Sequence, residues 1–319
     1  MMNLSLVVPV YNEEENLPLL FEAIQRALVP LNQTWEVIFV DDGSRDQSVR
    51  VLEGLFNGAP LHVRVIEFRR NFGQTAAIAA GIDHARGEVI VLLDADMQND
   101  PADIPLLLAK LDEGYDLVSG WRKSRKDNAI TRNLPSHIAN WLISWVTGVH
   151  LHDYGCTLKA YRREALEGFR LYGEMHRFIP VFAHSGGARI TEVVVNHHPR
   201  KFGKAKYGLE RTLKVVLDLF TVKFLLSYSS KPIYLFGGAG LGFIFVGAAL
   251  LLYLFVRRFF NVPAFSSPLL QIGVMFFIIG FQSILMGLIA ELLARTYHES
   301  QQKPTYRVRA ILEKKNDDA

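Results

Sequence analysis

The sequence predicts an α/β domain built on a mostly parallel sheet, followed by juxtamembrane helices and two transmembrane helices. Three observations carry this reading. Through the first 120 residues, short apolar runs alternate with amphipathic stretches of helical length, the pattern of a parallel sheet covered on both faces. Four of these runs end in polar clusters, PVYNEE, DDGS, RRNFG and DADMQ, and such sheets bind ligands at the carboxyl ends of their strands. Two late runs carry no charge: Leu235 to Val256, 22 residues, and Pro268 to Ala290, 23 residues. At about 1.5 Å per residue each can cross the ~30 Å hydrocarbon layer of a bilayer.

The expected strands are LSLVVPV (4–10), WEVIFVDD (35–42), HVRVIEF (62–68), EVIVLLD (88–94) and DLVSG (116–120). Between them EENLPLLFEAIQRAL, SRDQSVRVLEGLF, GQTAAIAAGIDHA and ADIPLLLAKLDEG have helical periodicity. The boundaries expected from this pattern are a catalytic domain over 1–210, a juxtamembrane segment over 211–231, spans over 232–256 and 268–291 joined by a connector at 257–267, and a tail over 292–319. Gly238 and Gly242 form a small-xxx-small face in the first span, suited to helix packing, and Gln282 and Ser283 in the second could bond another helix or a subunit.

Net charge is only +3, so nothing in the overall balance points to nucleic acid. The basic residues are nonetheless clustered. WRKSRKDNAITRNLPSH holds five Lys or Arg against one acid, and Arg200 to Lys231 holds eight against Glu210 and Asp218. The second stretch runs into the first span, where an apolar-basic segment rests against an anionic leaflet. HIANWLISWVTG, with two tryptophans, suits either a core helix or one lying in the bilayer interface. Lys and Arg flanking the two spans exceed those of the connector, so both termini are expected in the cytoplasm, with the spans in the inner (plasma) membrane. No secretory signal is expected from the N-terminal run, and the single cysteine, Cys156, suits a reducing compartment.

The chemistry concentrates in LLDADMQNDP. If the strand pleat continues, Asp94 and Asp96 project to one face, where two carboxylates repel unless a cation lies between them. The same residues would also serve as a polar strand end before a helix cap. Magnesium takes one or two carboxylates together with phosphate oxygens; Asp94 and Asp96 offer that supply, with the Gln98 amide oxygen as a further ligand. Asp41 and Asp42 could accept hydrogen bonds from a ribose or a base edge. Gly43 and Ser44 read as a tight turn and helix cap, Cys156 as a small buried residue, and the His197–His198 pair as too sparse for zinc.

VVPVYNEEENL, VDDGSRD, RNFGQTAAIAAGI and LLDADMQNDP together resemble the inverting family 2 glycosyltransferases, with their A-type, Rossmann-like nucleotide-sugar domain. DYGCTLKAYRR (153–163), FGKAKY and the two spans are similar to the polyprenyl-phosphate branch of that family, and with RFIP (177–180) most like its formamido-arabinose transferases. The resemblance covers residues 4–310. It implies sugar transfer from a nucleotide sugar, UDP favoured over GDP, to the phosphate of undecaprenol, with Mg2+ or Mn2+ as cofactor. It implies that Pro9, Tyr11, Glu13 and Asp41 line the nucleotide pocket, with Asp42 beside them. It further implies that Asp94 contacts the donor and that Asp96 and Gln98 hold the metal. Arg122, Arg132 and Ser136 match positions that grip the lipid phosphate, and Arg200 and Lys206 match a segment closing over the pyrophosphate. Ala205 stands where the family commonly has Ser or Thr. A homo-oligomer, such as the tetramers of some relatives, is also implied.

Asp153 matches the family's candidate catalytic residue. The nucleophile is a phosphate monoester with a second pKa of about 6, already mostly ionised at neutral pH, so an orienting or charge-tuning role competes with that of a base. Two other functions fit less of the sequence. A processive polysaccharide synthase typically carries Gln-x-x-Arg-Trp and more spans, both missing here, and a non-catalytic scaffold would not need every charged motif intact.

Overall fold

The computed structural model describes residues 2–123, 134–167, 171, 175–199, 219, 222–223, 233–260, 268–300 and 308–313. They form two compact units, one of Met1–Val222 with Pro304–Ala319 and one of Lys223–Lys303.

In the first unit β1 (Leu4–Val10), β2 (Trp35–Asp41), β3 (Val63–Phe68) and β4 (Val89–Leu92) run parallel in the order β3-β2-β1-β4. Their carboxyl ends therefore share one edge of the sheet. The sequence VIVL in β4 is almost wholly buried, as a central strand covered by helices requires. Helices α1 (Leu17–Leu28), α2 (Ser48–Gly58), α3 (Gln74–His84) and α4 (Ile104–Asp112) follow these strands in turn. In α1 the buried set Leu17, Leu20, Phe21, Ile24 and Leu28 keeps the 3-4 spacing of one helical face. β5 (Leu117–Trp121), α5 (Leu134–Thr147), β6 (Lys159–Arg162), α6 (Ile179–Ser185) and β7 (Ile190–Val194) follow. β6 inserts antiparallel between β4 and β5, so that KAYR becomes an interior strand beside the DAD segment. α5 turns Ile143 inward but leaves Trp141 and Trp145 exposed, their rings stacked 6.4 Å apart.

Part of the segment expected as a tail pairs with the sheet. β8 (Val308–Leu312) pairs antiparallel with β3 and completes the eight-stranded order β7-β5-β6-β4-β1-β2-β3-β8. Glu313 then reaches Arg64 at 2.9 Å and Arg86 at 2.8 Å. Arg64 in turn meets buried Glu36, which accepts a 2.6 Å bond from Ser5. This polar network lies toward the amino ends of the strands, away from the DAD edge.

The second unit is a hairpin of α7 (Ile233–Phe259) and α8 (Pro268–Ser300). Both are long and apolar enough to cross a membrane, and only 17% of each apolar window is buried, unlike a core helix of a soluble protein. A Cβ added at Gly238 or Gly242, expected at the packing face, would meet nothing within 4 Å. The seam instead uses Gly240 against Gly280 and Gly247 against Gly273. A Cβ added at Gly280 would lie 2.6 Å from the Gly240 carbonyl oxygen. Small residues let two backbones approach in lipid, where packing rather than water drives association. Gly280→Leu is therefore expected to force the helices apart at a cost of about 2 kcal/mol. Gly238→Leu should cost almost nothing. Melting temperatures in detergent check this, and equal values for the two variants would refute the seam.

Candidate active site

The loops at the carboxyl ends of β1 and β2 are stitched together. Asn12, at φ 53°, donates its N–H to Ser44 Oγ, and its Oδ1 accepts from Arg45 N–H at 2.7 Å. The Glu13 N–H donates to Ser48 Oγ, and Glu13 Oε2 accepts from Asn16 at 2.7 Å. Pro9 and Tyr11 sit half-buried at this edge. Asp41 is buried; its Oδ2 accepts the Ser44 N–H at 3.0 Å, while Oδ1 has no hydrogen-bond partner among the described residues. A buried acceptor without a donor is costly, and a ribose hydroxyl or base N–H would supply one. Burial raises the pKa of Asp41 despite the Ser44 bonds.

Asp42 serves the scaffold. Its two oxygens accept the N–H groups of Phe72 at 2.6 Å and Gly73 at 2.9 Å, which fixes the RRNFG loop against the second strand. Burial pushes its carboxyl up to about 6. Gly43 has φ +69°, and a Cβ there would lie 2.5 Å from the Arg70 carbonyl carbon, so that loop crosses where only glycine fits. The expected helix cap at Ser44 is displaced: α2 begins at Ser48, and Ser44 instead closes a turn with Asp41.

The two carboxylates of DAD meet through a turn and not through a continued pleat. β4 stops at Leu92, and Met97 takes a left-handed φ of 59°. Asp94 accepts a 2.9 Å bond from Gln74 Nε2 and another from Thr157. Its carboxyl is pushed up to about 6, first by burial and then by the charge of Asp96. Asp96 is nearly buried and accepts the Gln98 N–H at 3.1 Å. The described residues include no group of three or more His, Cys, Asp or Glu placed to hold a metal. Two mutually repelling carboxylates do fit a divalent ion that draws its other ligands from phosphate and water.

Asp153 is buried and held by Arg122, whose Nε lies 2.7 Å from Oδ2 and whose second nitrogen lies 3.1 Å from Oδ1. Burial lowers the guanidinium pKa, but Asp153, Cys156 and Asp94 together outweigh it and the net shift is upward. Of the expected phosphate-binding residues, Arg122 thus stands beside Asp153. Arg132, Arg200 and Lys206 lie outside the described residues; Ser136 falls within α5, with its side chain outside them. Burial raises the Cys156 thiol pKa, the reverse of what an activated nucleophile needs. His197 forms an isolated bridge with Asn99, and His198 bonds Asp100 at 2.9 Å. Gln74, Thr157, Lys159, His176 and Arg177 also gather here without having been assigned from sequence, although RNFGQ, CTLKAYRR and RFIP contain all but His176, which directly precedes RFIP.

Residues 5–169 match the model of glycosyl transferase family 2. A dodecaprenyl-phosphate galacturonate synthase of Rhizobium johnstonii is 44% identical over 98% of this chain and 94% of its own length. An undecaprenyl-phosphate 4-deoxy-4-formamido-L-arabinose transferase of Salmonella choleraesuis is 37% identical over 97% and 93%. Identity is thus higher to the galacturonate synthase than to the formamido-arabinose enzyme that the motifs most resemble. A glucosyl-3-phosphoglycerate synthase from Mycobacterium tuberculosis, solved with Mn2+ and UDP, shares the fold at a TM-score of 0.50 and 18% identity, over 70% of this chain and 80% of its own. The fold and site define a glycosyltransferase. The chain belongs to glycosyl transferase family 2, and its full-length relatives are polyprenyl-phosphate sugar transferases.

Proposed function

We propose that the protein transfers a sugar from a UDP-sugar to the phosphate of undecaprenol, with inversion at the anomeric carbon. The observation that carries this is one sheet edge bearing the unpartnered Asp41 oxygen, the Asp94–Asp96 pair and the Arg122–Asp153 pair, in a chain that also carries a membrane hairpin. Such an anchor suits an acceptor that never leaves the bilayer. Asp41, with Pro9, Tyr11 and Glu13, receives the nucleoside. Asp94, Asp96 and Gln98 would hold Mg2+ or Mn2+, which supplies charge stabilisation to the departing diphosphate. Arg122, Arg132, Ser136, Arg200 and Lys206 serve the phosphates. Because the acceptor phosphate is ionised at neutral pH, Asp153 orients charge near the anomeric carbon through Arg122 and need not take a proton.

The return of β8 to the sheet supports a topology with catalytic domain and both termini on one side, and the excess of basic flanking residues supports the cytoplasm as that side. Gln282, exposed on the hairpin, supports self-association.

The test is label transfer into undecaprenyl phosphate from a panel of UDP- and GDP-sugars, with and without divalent metal. Transfer from GDP-sugars alone, or transfer unaffected by a chelator, would overturn the donor and metal assignments respectively. The raised Asp94 carboxyl adds a pH signature. A metal needs that group ionised, so Mn2+ affinity should fall by up to about tenfold per unit below pH 6, with proton release on binding. Titration calorimetry across pH 5–8 measures this, and Asp94→Asn should flatten it.

A further inference from the structure

Behind Asp94 lies a narrow recess bounded by Ile78 of α3, Leu92 of β4, the 154–157 turn and the side chains of β6. Thr157, which bonds Asp94, forms part of its wall, so the recess adjoins the expected position of the donor sugar. Lys159, Tyr161, His176 and Arg177 supply most of its remaining polar lining, and no Asp or Glu lines it. Its free space is about that of one water-sized group.

Two of the lining groups are left incomplete by the fold. Lys159 is 3% exposed; its ammonium bonds the carbonyls of Tyr154 and Cys156 and makes no ion pair among the described residues. The Tyr161 hydroxyl is wholly buried and has no hydrogen-bond partner among the described residues. The charges of Asp94 and Asp153 act on Lys159 from a distance, but a buried ammonium with no ion pair among the described residues and a buried hydroxyl without an acceptor both carry a desolvation cost. One small anion would satisfy both. One oxygen of a flat carboxylate fits that room, which a tetrahedral phosphate exceeds.

We propose that this recess receives the carboxylate of the donor sugar, so that the substrate is a nucleoside diphosphate uronic acid recognised by Lys159 and the Tyr161 hydroxyl. The inference rests on the transferase reading above and adds the chemical class of the sugar. Lys159 and Tyr161 are specificity-determining residues in this scheme. A site that offers buried polar groups to one substrate strongly rejects an analogue that leaves them unpaired.

The experiment uses the full chain in detergent with undecaprenyl phosphate and Mn2+. UDP-galacturonate and UDP-glucuronate are compared with UDP-galactose, UDP-glucose and UDP-4-deoxy-4-formamido-arabinose. A uronate is expected to exceed its neutral counterpart at least about 100-fold in kcat/KM. Tyr161→Phe removes only an unpartnered hydroxyl, so the melting temperature should hold while the acid-over-neutral ratio falls about tenfold. Lys159→Met should reduce the ratio further. Transfer from a neutral donor at least as fast as from either uronate would overturn the inference and leave the transferase reading standing. So would an acid preference unchanged in both variants. No transfer from any donor, with the protein folded, would overturn both.

Discussion

Replacing Asp96 with asparagine is expected to lower sugar transfer by about a thousandfold without unfolding the catalytic unit. The turn that presents Asp96 depends on an oxygen accepting the Gln98 N–H, and an asparagine oxygen still provides it. What is lost is one of the two negative charges that would hold the metal. The neighbouring carboxyl should respond as well. Asp94 is raised by burial and by Asp96, so removing the second charge should bring Asp94 closer to an ordinary carboxylate value. The variant should therefore bind Mn2+ weakly, keep its melting temperature and lose transfer even at saturating metal. Transfer within tenfold of the unmodified protein would sink the metal assignment.

The parts of the site visible in the sequence are those whose chemistry conflicts with their surroundings. VIVLL followed by DAD places acids directly after a buried strand, and only a ligand or a turn resolves that. The strand ends at Leu92 and a turn follows, in place of the continued pleat that was expected. Asp41 and Asp42 read alike in sequence, yet Asp42 spends both oxygens on the RRNFG loop while Asp41 keeps one without a hydrogen-bond partner among the described residues. Which of two adjacent acids is spent on the scaffold depends on where a loop 30 residues away comes to rest. Long-range pairing hid the remainder. Lys159 reads as an ordinary strand cation until β6 is placed inside the sheet, and Thr75 meets His176 across 101 residues of chain. β8 is five residues long and follows a membrane helix, with no pattern marking it as an edge cover for β3. The glycines of α7 show that helix packing is possible but not which face is used, because the seam is fixed by the register of α8.

Asp153→Asn is expected to lower kcat by about 100-fold, and the form of the loss separates its two possible roles. The carboxylate is clasped by two nitrogens of Arg122 in a buried pair. Removing one partner of such a pair destabilises by about 3 kcal/mol, because the other charge is left unsatisfied. A lower melting temperature should therefore accompany the loss of activity. If Asp153 works by fixing Arg122, the double variant Asp153→Asn with Arg122→Met should be about as slow as the slower single variant, since neither residue then acts alone. An Asp153 that independently accepted a proton would make the two losses multiply. The pH profile gives a second criterion. A general base would own the acid limb of kcat, and that limb would vanish with the carboxylate. Here the limb is assigned to the acceptor phosphate, with its second pKa of about 6, and to Asp94, pushed up to about 6. It should therefore persist in Asp153→Asn at a lower plateau. A flat profile in that variant would make Asp153 the base, and Arg122 would become the residue that tunes it.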